Sequence, residues 1–209
     1  MTQPLAVALH ALSRVAHSTG EDIAVIGAGG VGSFIVAAAA QNAGGGRVVA
    51  IDIHPDRLAT ASALGATETI DASGHDLANL LLHLSDGVGF EIVIEATGAP
   101  HAPAAAIAGA RRGGRVLLVG LQGAPREIDL TQMILGEVDV VTTVAHVCDT
   151  DVPAALRLLA STDIAQVSAG PRIPLESLVE EGLRPLAERR VGAKILVDPR
   201  VYASSGPRS

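Results

Sequence analysis

Aromatic side chains are almost missing from this 209-residue chain, which has two Phe, one Tyr and no Trp. Any core must therefore be built from Val, Ile, Leu and Ala, the bulk of the 48% hydrophobic residues. Aliphatic cores of that kind are common where parallel strands are covered by helices on both faces. Cys148 is the only cysteine, which excludes an internal disulfide and a structural zinc knuckle. Positive charge is scarce too: 15 Lys and Arg against 22 Asp and Glu leave a formal charge of −7, and Lys194 is the only lysine. That balance argues against a nucleic-acid partner. Long hydrophobic runs are missing, since the apolar stretches are broken by Gly, Asp or His, so no membrane partner is expected. The N-terminus lacks the charged and apolar regions of a secretion signal, and a cytoplasmic protein is the expectation.

What is present is a regular alternation. The stretches 22–27, 47–52, 67–71, 90–97, 114–120 and 138–147 are β-branched and read as strands, and 193–199 reads as a last short strand closing the fold. Ala- and Leu-rich stretches at 31–44, 55–65, 75–85, 102–110, 130–137, 152–161 and 174–188 read as helices, with a leading helix at Pro4–Val15. Pro55 and Gly65 stand at the start and end of one of them, where each is favoured. The order predicts an α/β fold, a doubly wound and mainly parallel sheet in a single domain. The expected organisation is a linking helix at 1–16, the domain at 17–199 and a polar, disordered tail at 200–209.

The first strand runs into IGAGGVGSF, in which Gly27, Gly29 and Gly32 fit G-x-G-x-x-G. With 23 glycines, chance matches are easy, but this one follows a strand, opens a helix and precedes Asp52 by twenty residues from Gly32. These are the conditions of a dinucleotide-binding Rossmann fingerprint. Gly27 permits the tight turn, Gly29 lets a pyrophosphate approach the backbone, and Gly32 lets the helix pack close. Gly30 and Val31 belong to the same loop, whose free N–H groups and helix dipole favour phosphates. Asp52 is placed to accept hydrogen bonds from ribose hydroxyls and to repel a 2′-phosphate, which favours NAD over NADP. An S-adenosylmethionine or flavin site is the rival reading of the same loop.

The sequence resembles the cofactor domain of the zinc-type medium-chain dehydrogenases, the alcohol, sorbitol, threonine and butanediol dehydrogenase superfamily, from about Pro4 to Pro199. PLAVALHAL is similar to the family's helix leading into the cofactor domain. VIGAGGVGSF and VVAIDIHPDRLATASALGAT are similar to its phosphate loop and adenosine pocket, EIVIEATG to its DIVIEATG-like stretch, GGRVLLVG to the strand under the nicotinamide, and IPLESLVEEGLRPLAERRVGAKILVDP to its C-terminus. The resemblance implies that Ile53 packs on the adenine and Arg57 reaches the ribose. It implies that Ala96 and Thr97 line the cofactor, and that Val119, Thr142 and Val144 meet the nicotinamide carboxamide. Lys194 is placed either near the pyrophosphate or on the surface. Strand 138–147 matches the edge through which family members dimerise, implying a homo-oligomer.

In the family, the helix at Pro4–Val15 follows a catalytic domain that carries zinc, and Gln3 stands where the polyol branch has a zinc-binding glutamate. The expectation is therefore an NAD(H)-binding domain of an oxidoreductase for secondary alcohols, weakly active or inactive on its own. It would expose an apolar face that includes part of the Pro4–Val15 helix. The alternatives are a non-catalytic NAD(H)-binding module and a subunit of a split dehydrogenase that pairs with a separate catalytic chain. No catalytic or metal-ligating residue is assigned. His146 and Cys148 are two ligands at most, Glu95 is expected to line the cofactor cleft, and RRGGR at 111–115 reads as a solvated turn.

Overall fold

The structure is a computed structural model, and it describes residues 1–188 and 194–200. Six strands form one parallel sheet: β1 (Ile23–Ile26), β2 (Val48–Asp52), β3 (Glu68–Asp71), β4 (Phe90–Glu95), β5 (Ala110–Leu118) and β6 (Asp139–Thr142). Their order is β3-β2-β1-β4-β5-β6, the doubly wound arrangement. Every residue of β1 and β2 is buried. Successive side chains point to opposite faces, so each strand feeds two cores. Ile23 and Val25 enter one cluster, Ala24 and Ile26 the other.

The first core lies under α1 (Thr2–Arg14), α2 (Gly30–Gln41), α3 (Pro55–Ala63), α7 (Cys148–Ser161) and α8 (Ile164–Ser168). The second lies under α4 (Leu77–Leu84) and α5 (Ala102–Gly109), with α6 (Leu130–Gly136) at its rim. Helix α2 is apolar almost all round and is buried from Gly32 to Ala39, as a helix wedged between sheet and neighbours must be. Side-chain caps start α4 and α6: Asp76 accepts from the Asn79 N–H at 2.9 Å, and Asp129 from the Gln132 N–H at 3.0 Å.

Several expectations are revised. The apolar face of α1 is not left open, because Leu5, Ala6, Ala8, Ala11 and Leu12 are buried against α2 and α7. Its C-terminal carbonyls at Val15 and Ala16 accept from Arg115 Nη1 at 2.7 and 2.8 Å. The RRGGR stretch belongs to β5 and is not a free turn: Arg111 pairs with Glu91, Arg112 with Glu137 and Arg115 with Glu21. The sixth strand stops at Thr142, well short of 147. Residues 174–188 do not form one α-helix. A 3-10 turn (Leu175–Ser177), a π-helical stretch (Leu178–Leu183) and α9 (Arg184–Ala187) follow one another.

The last strand, β8 (Lys194–Asp198), does not join the main sheet. It pairs in parallel with β7 (Ala169–Pro174), an element absent from the sequence reading, in a separate two-stranded sheet. Apart from Arg200, the expected tail at 200–209 lies outside the described residues. Among the described residues, no helix is long and apolar enough to cross a membrane.

Candidate cofactor-binding site

Strand order reverses between β1 and β4, and open α/β sheets bind their ligands outside the strand ends at such a point. The chain leaves β1 through Gly27, whose φ of +95° lies in the left-handed region. Its N–H donates to the Ile51 carbonyl at 2.7 Å. Gly29 caps α2 without a side-chain oxygen, which leaves the first-turn N–H groups of Gly30, Val31 and Gly32 available to an anion. A Cβ on Gly32 would lie 1.8 Å from the Gly27 carbonyl oxygen, so only glycine lets α2 seat on the turn.

Asp52 ends β2 and is buried. Its Oδ1 accepts from the N–H groups of Ile53 at 2.8 Å and His54 at 3.0 Å. Its Oδ2 accepts from the Ala28 N–H at 2.9 Å, with Arg57 Nη1 at 3.5 Å. The acid therefore ties the glycine loop to β2. The spacing from Gly32 points to Asp52, but nothing in the sequence signals the bond to Ala28.

Two stretches of cleft extend from this loop. The larger, about 500 Å³, is lined among others by Asp52, Ile53, Arg57, His75, Thr97 and His101. The smaller, about 270 Å³, is lined by Gly27, Gly29, Val31, Ala96 and Val119 with neighbours. Arg57 and Thr97 line both, so the two adjoin at these side chains. Ile53 is largely exposed above the larger stretch. His54, His75 and His101 were not singled out from sequence, although a sheet in which β3 flanks β2 brings the segment after β3 to this cleft. There the Ser73 hydroxyl and N–H bond to Asp71 and hold its carboxyl below the ordinary value.

Lys194, from β8, comes to the start of α2. Its Nζ lies 5.9 Å from the centroid of the Phe34 ring, and it shares a narrow recess with Gly30, Ser33, Arg57, Thr60 and Ser168. Thr142 and Val144 are not brought in. Thr142 pairs with Leu118 at the outer edge, and Val144 is 80% exposed beyond it. Glu95 does not open into the cleft, since it is fully buried. Among the described residues, no three His, Cys, Asp or Glu side chains converge on a point that could hold a metal ion. His146 Nε2 and Cys148 Sγ lie 3.6 Å apart.

The residues present fit a dinucleotide: a glycine cradle that a Cβ would fill, uncapped helix N–H groups, two cations beside them and an apolar wall. Residues 30–161 match the family described as zinc-binding dehydrogenase. An L-threonine 3-dehydrogenase of Bacillus velezensis is 37% identical over 133 residues, 64% of this chain and 38% of that protein. A sorbitol dehydrogenase of Bacillus subtilis is 35% identical over 121 residues, 58% of this chain and 34% of that one. The crystal structure of 2R,3R-butanediol dehydrogenase from Bacillus subtilis superposes with a TM-score of 0.85 at 28% identity, covering 95% of this chain and 56% of that one. The chain thus spans little more than half of its structural relative, and the sequence matches span little more than a third of the curated ones. With the matched residues running from the start of α2 to the end of α7, this chain belongs to the zinc-binding dehydrogenase family.

Proposed function

We propose that this chain binds NAD(H) as the cofactor-holding part, residues 17–199 behind the 1–16 helix, of a zinc-type alcohol or polyol dehydrogenase. The observation that carries the reading is the glycine loop at the β1/β4 switch point, joined to Asp52 through Ala28 and flanked by two adjoining stretches of cleft. In this assignment the N–H groups of Gly29, Gly30, Val31 and Gly32 take the pyrophosphate, with Lys194 beside them. Ile53 covers the adenine, Arg57 and Asp52 serve the ribose, and Ala96, Thr97 and Val119 floor the nicotinamide end. Thr142 and Val144 contribute only when the segment after β6 is brought inward. The carboxylate at the end of β2 disfavours a 2′-phosphate, so NAD is preferred to NADP.

When bound, the nicotinamide supplies hydride transfer, and the protein supplies orientation and electrostatics. The described residues offer no cluster of three metal-ligating side chains. The 209-residue chain is accordingly expected to turn over secondary alcohols poorly. A second reading, a subunit completed by a separate catalytic chain, is favoured by one observation. Leu175, Val179, Leu183 and Leu186 are each about half exposed along the helical run after β7, apolar side chains left uncovered by the described residues. Titration calorimetry with NADH and NADPH, with a butanediol and sorbitol oxidation assay on the same sample, tests the proposal. Tight NADH and weak NADPH binding without turnover is the expected result, and failure to bind either nucleotide overturns it.

A further inference from the structure

Glu95 is the last residue of β4 and is fully buried, registered between Ile26 of β1 and Leu118 of β5. Its Oε1 accepts from the Thr97 N–H at 2.7 Å, the Thr97 hydroxyl at 2.5 Å and the Gly98 N–H at 2.9 Å. Its Oε2 is buried without a hydrogen-bond partner. That oxygen lies against Gly120, where a Cβ would come 2.5 Å from it and 2.2 Å from the Gly98 nitrogen. The Glu95 carbonyl in turn accepts from the N–H groups of Val119 at 2.8 Å and Gly120 at 3.0 Å. One residue therefore grips both segments that leave β4 and β5.

Those segments carry Ala96, Thr97 and Val119 to the cleft. Thr97 is locked at both ends: its hydroxyl donates to Glu95 and accepts from the Ala99 N–H at 2.9 Å, while its methyl lies against Gly27. Leaving a carboxyl oxygen buried and unpartnered is costly, and folding alone does not require it, since an apolar side chain could fill the volume. What an apolar side chain could not do is hold three donors of the loop in one place.

We propose that Glu95 is a positioning residue for the cofactor. It acts through Thr97 and Gly98 and sets the separation between the glycine loop and Val119. The inference rests on the NAD(H) reading above and adds a residue that does not itself line the cleft.

The test is a fluorescence titration with NADH on the wild-type chain, Glu95→Gln, Thr97→Val, Thr97→Ser and the Glu95→Gln/Thr97→Val double variant. Thermal unfolding and amide NMR spectra of the free proteins accompany it. Glu95→Gln is expected to weaken NADH binding roughly ten- to a hundredfold, the scale of effect when a site loosens by about 1 Å. Thr97→Ser keeps most of the affinity. The double variant is no weaker than Glu95→Gln alone, because the two residues act in series. Leu81→Ala, which damages the core beneath α4, lowers stability at least as much and leaves the affinity of the folded protein unchanged. The proposal is overturned if Glu95→Gln binds like wild type, if the two losses add, or if affinity merely follows stability across all variants. Absence of NADH binding by the wild type overturns the NAD(H) reading instead. The Gly27 and Gly98 amide shifts of free Glu95→Gln then still decide whether Glu95 holds the loops: large shifts support it and unchanged shifts refute it.

Discussion

Both oxygens of Asp52 are engaged by backbone N–H groups, one of them at Ala28 in the glycine loop. Replacing Asp52 therefore acts twice. Asp52→Ala strands the Ala28 N–H and is expected to cost about 1–3 kcal/mol of stability in urea denaturation. It also removes the charge set against a 2′-phosphate, so the preference for NADH over NADPH should shrink about tenfold in parallel titrations. His17 gives a prediction away from the site. Its Nε2 is buried and unpartnered, and burial, aided by the Arg115 charge and opposed by Glu21, holds the imidazole below its ordinary 6.5. The unfolded chain takes up the proton first as pH falls, so stability is expected to drop from 6.5 down to the folded-state value. His17→Gln should flatten that slope in pH-dependent thermal unfolding; an unchanged slope assigns it to other groups. At this scale the sequence marks Gly27, Gly29, Gly32 and Asp52, because turn chemistry and spacing are local. The Ala28–Asp52 and Arg115–Val15 bonds are invisible in it, because their partners meet only after the sheet has formed.

The elements were legible in proportion to how much of their burial is written in their own periodicity. Strands β1, β2 and β4 and helices α2 to α5 stand where the aliphatic runs place them. The ends of the chain were harder. Strands β7 and β8 pair with each other in a sheet of their own among the described residues, a tertiary choice that no local pattern encodes, and the run from Leu175 to Ala187 changes helical pitch twice. Strand β6 is shorter than its β-branched stretch: its ladder with β5 ends at the Leu118–Thr142 pair, past which the Thr143 N–H makes a long 3.4 Å bond to the Leu118 carbonyl. Among the described residues it is an edge strand with one side unpaired, and it follows α6, none of whose residues is buried, with Ile134 and Leu135 exposed. Such an edge with apolar neighbours favours self-association. If the chain forms oligomers through it, Ile134→Glu with Leu135→Glu should lower the sedimentation coefficient towards that of a monomer. The unfolding midpoint should barely move, since no core contact is lost. Unchanged sedimentation of an oligomer would place the interface elsewhere.

At the scale of the whole molecule, strand order and loop chemistry agree. The sheet reverses at β1/β4, the glycine turn leaves β1 there, and β2, β4 and β5 deliver Asp52, Thr97 and Val119 to the same cleft. Family membership explains that agreement. The central claim is that NAD(H) occupies this cleft, and hydrogen-exchange mass spectrometry with and without saturating NADH tests it most directly. The account predicts slowed exchange in peptides spanning Gly27–Ser33, Asp52–Arg57 and Ala96–Gly98, with α6 and the Leu175–Ala187 run unchanged. Unaltered exchange in the Gly27–Ser33 peptide, or protection confined to another surface, would contradict it.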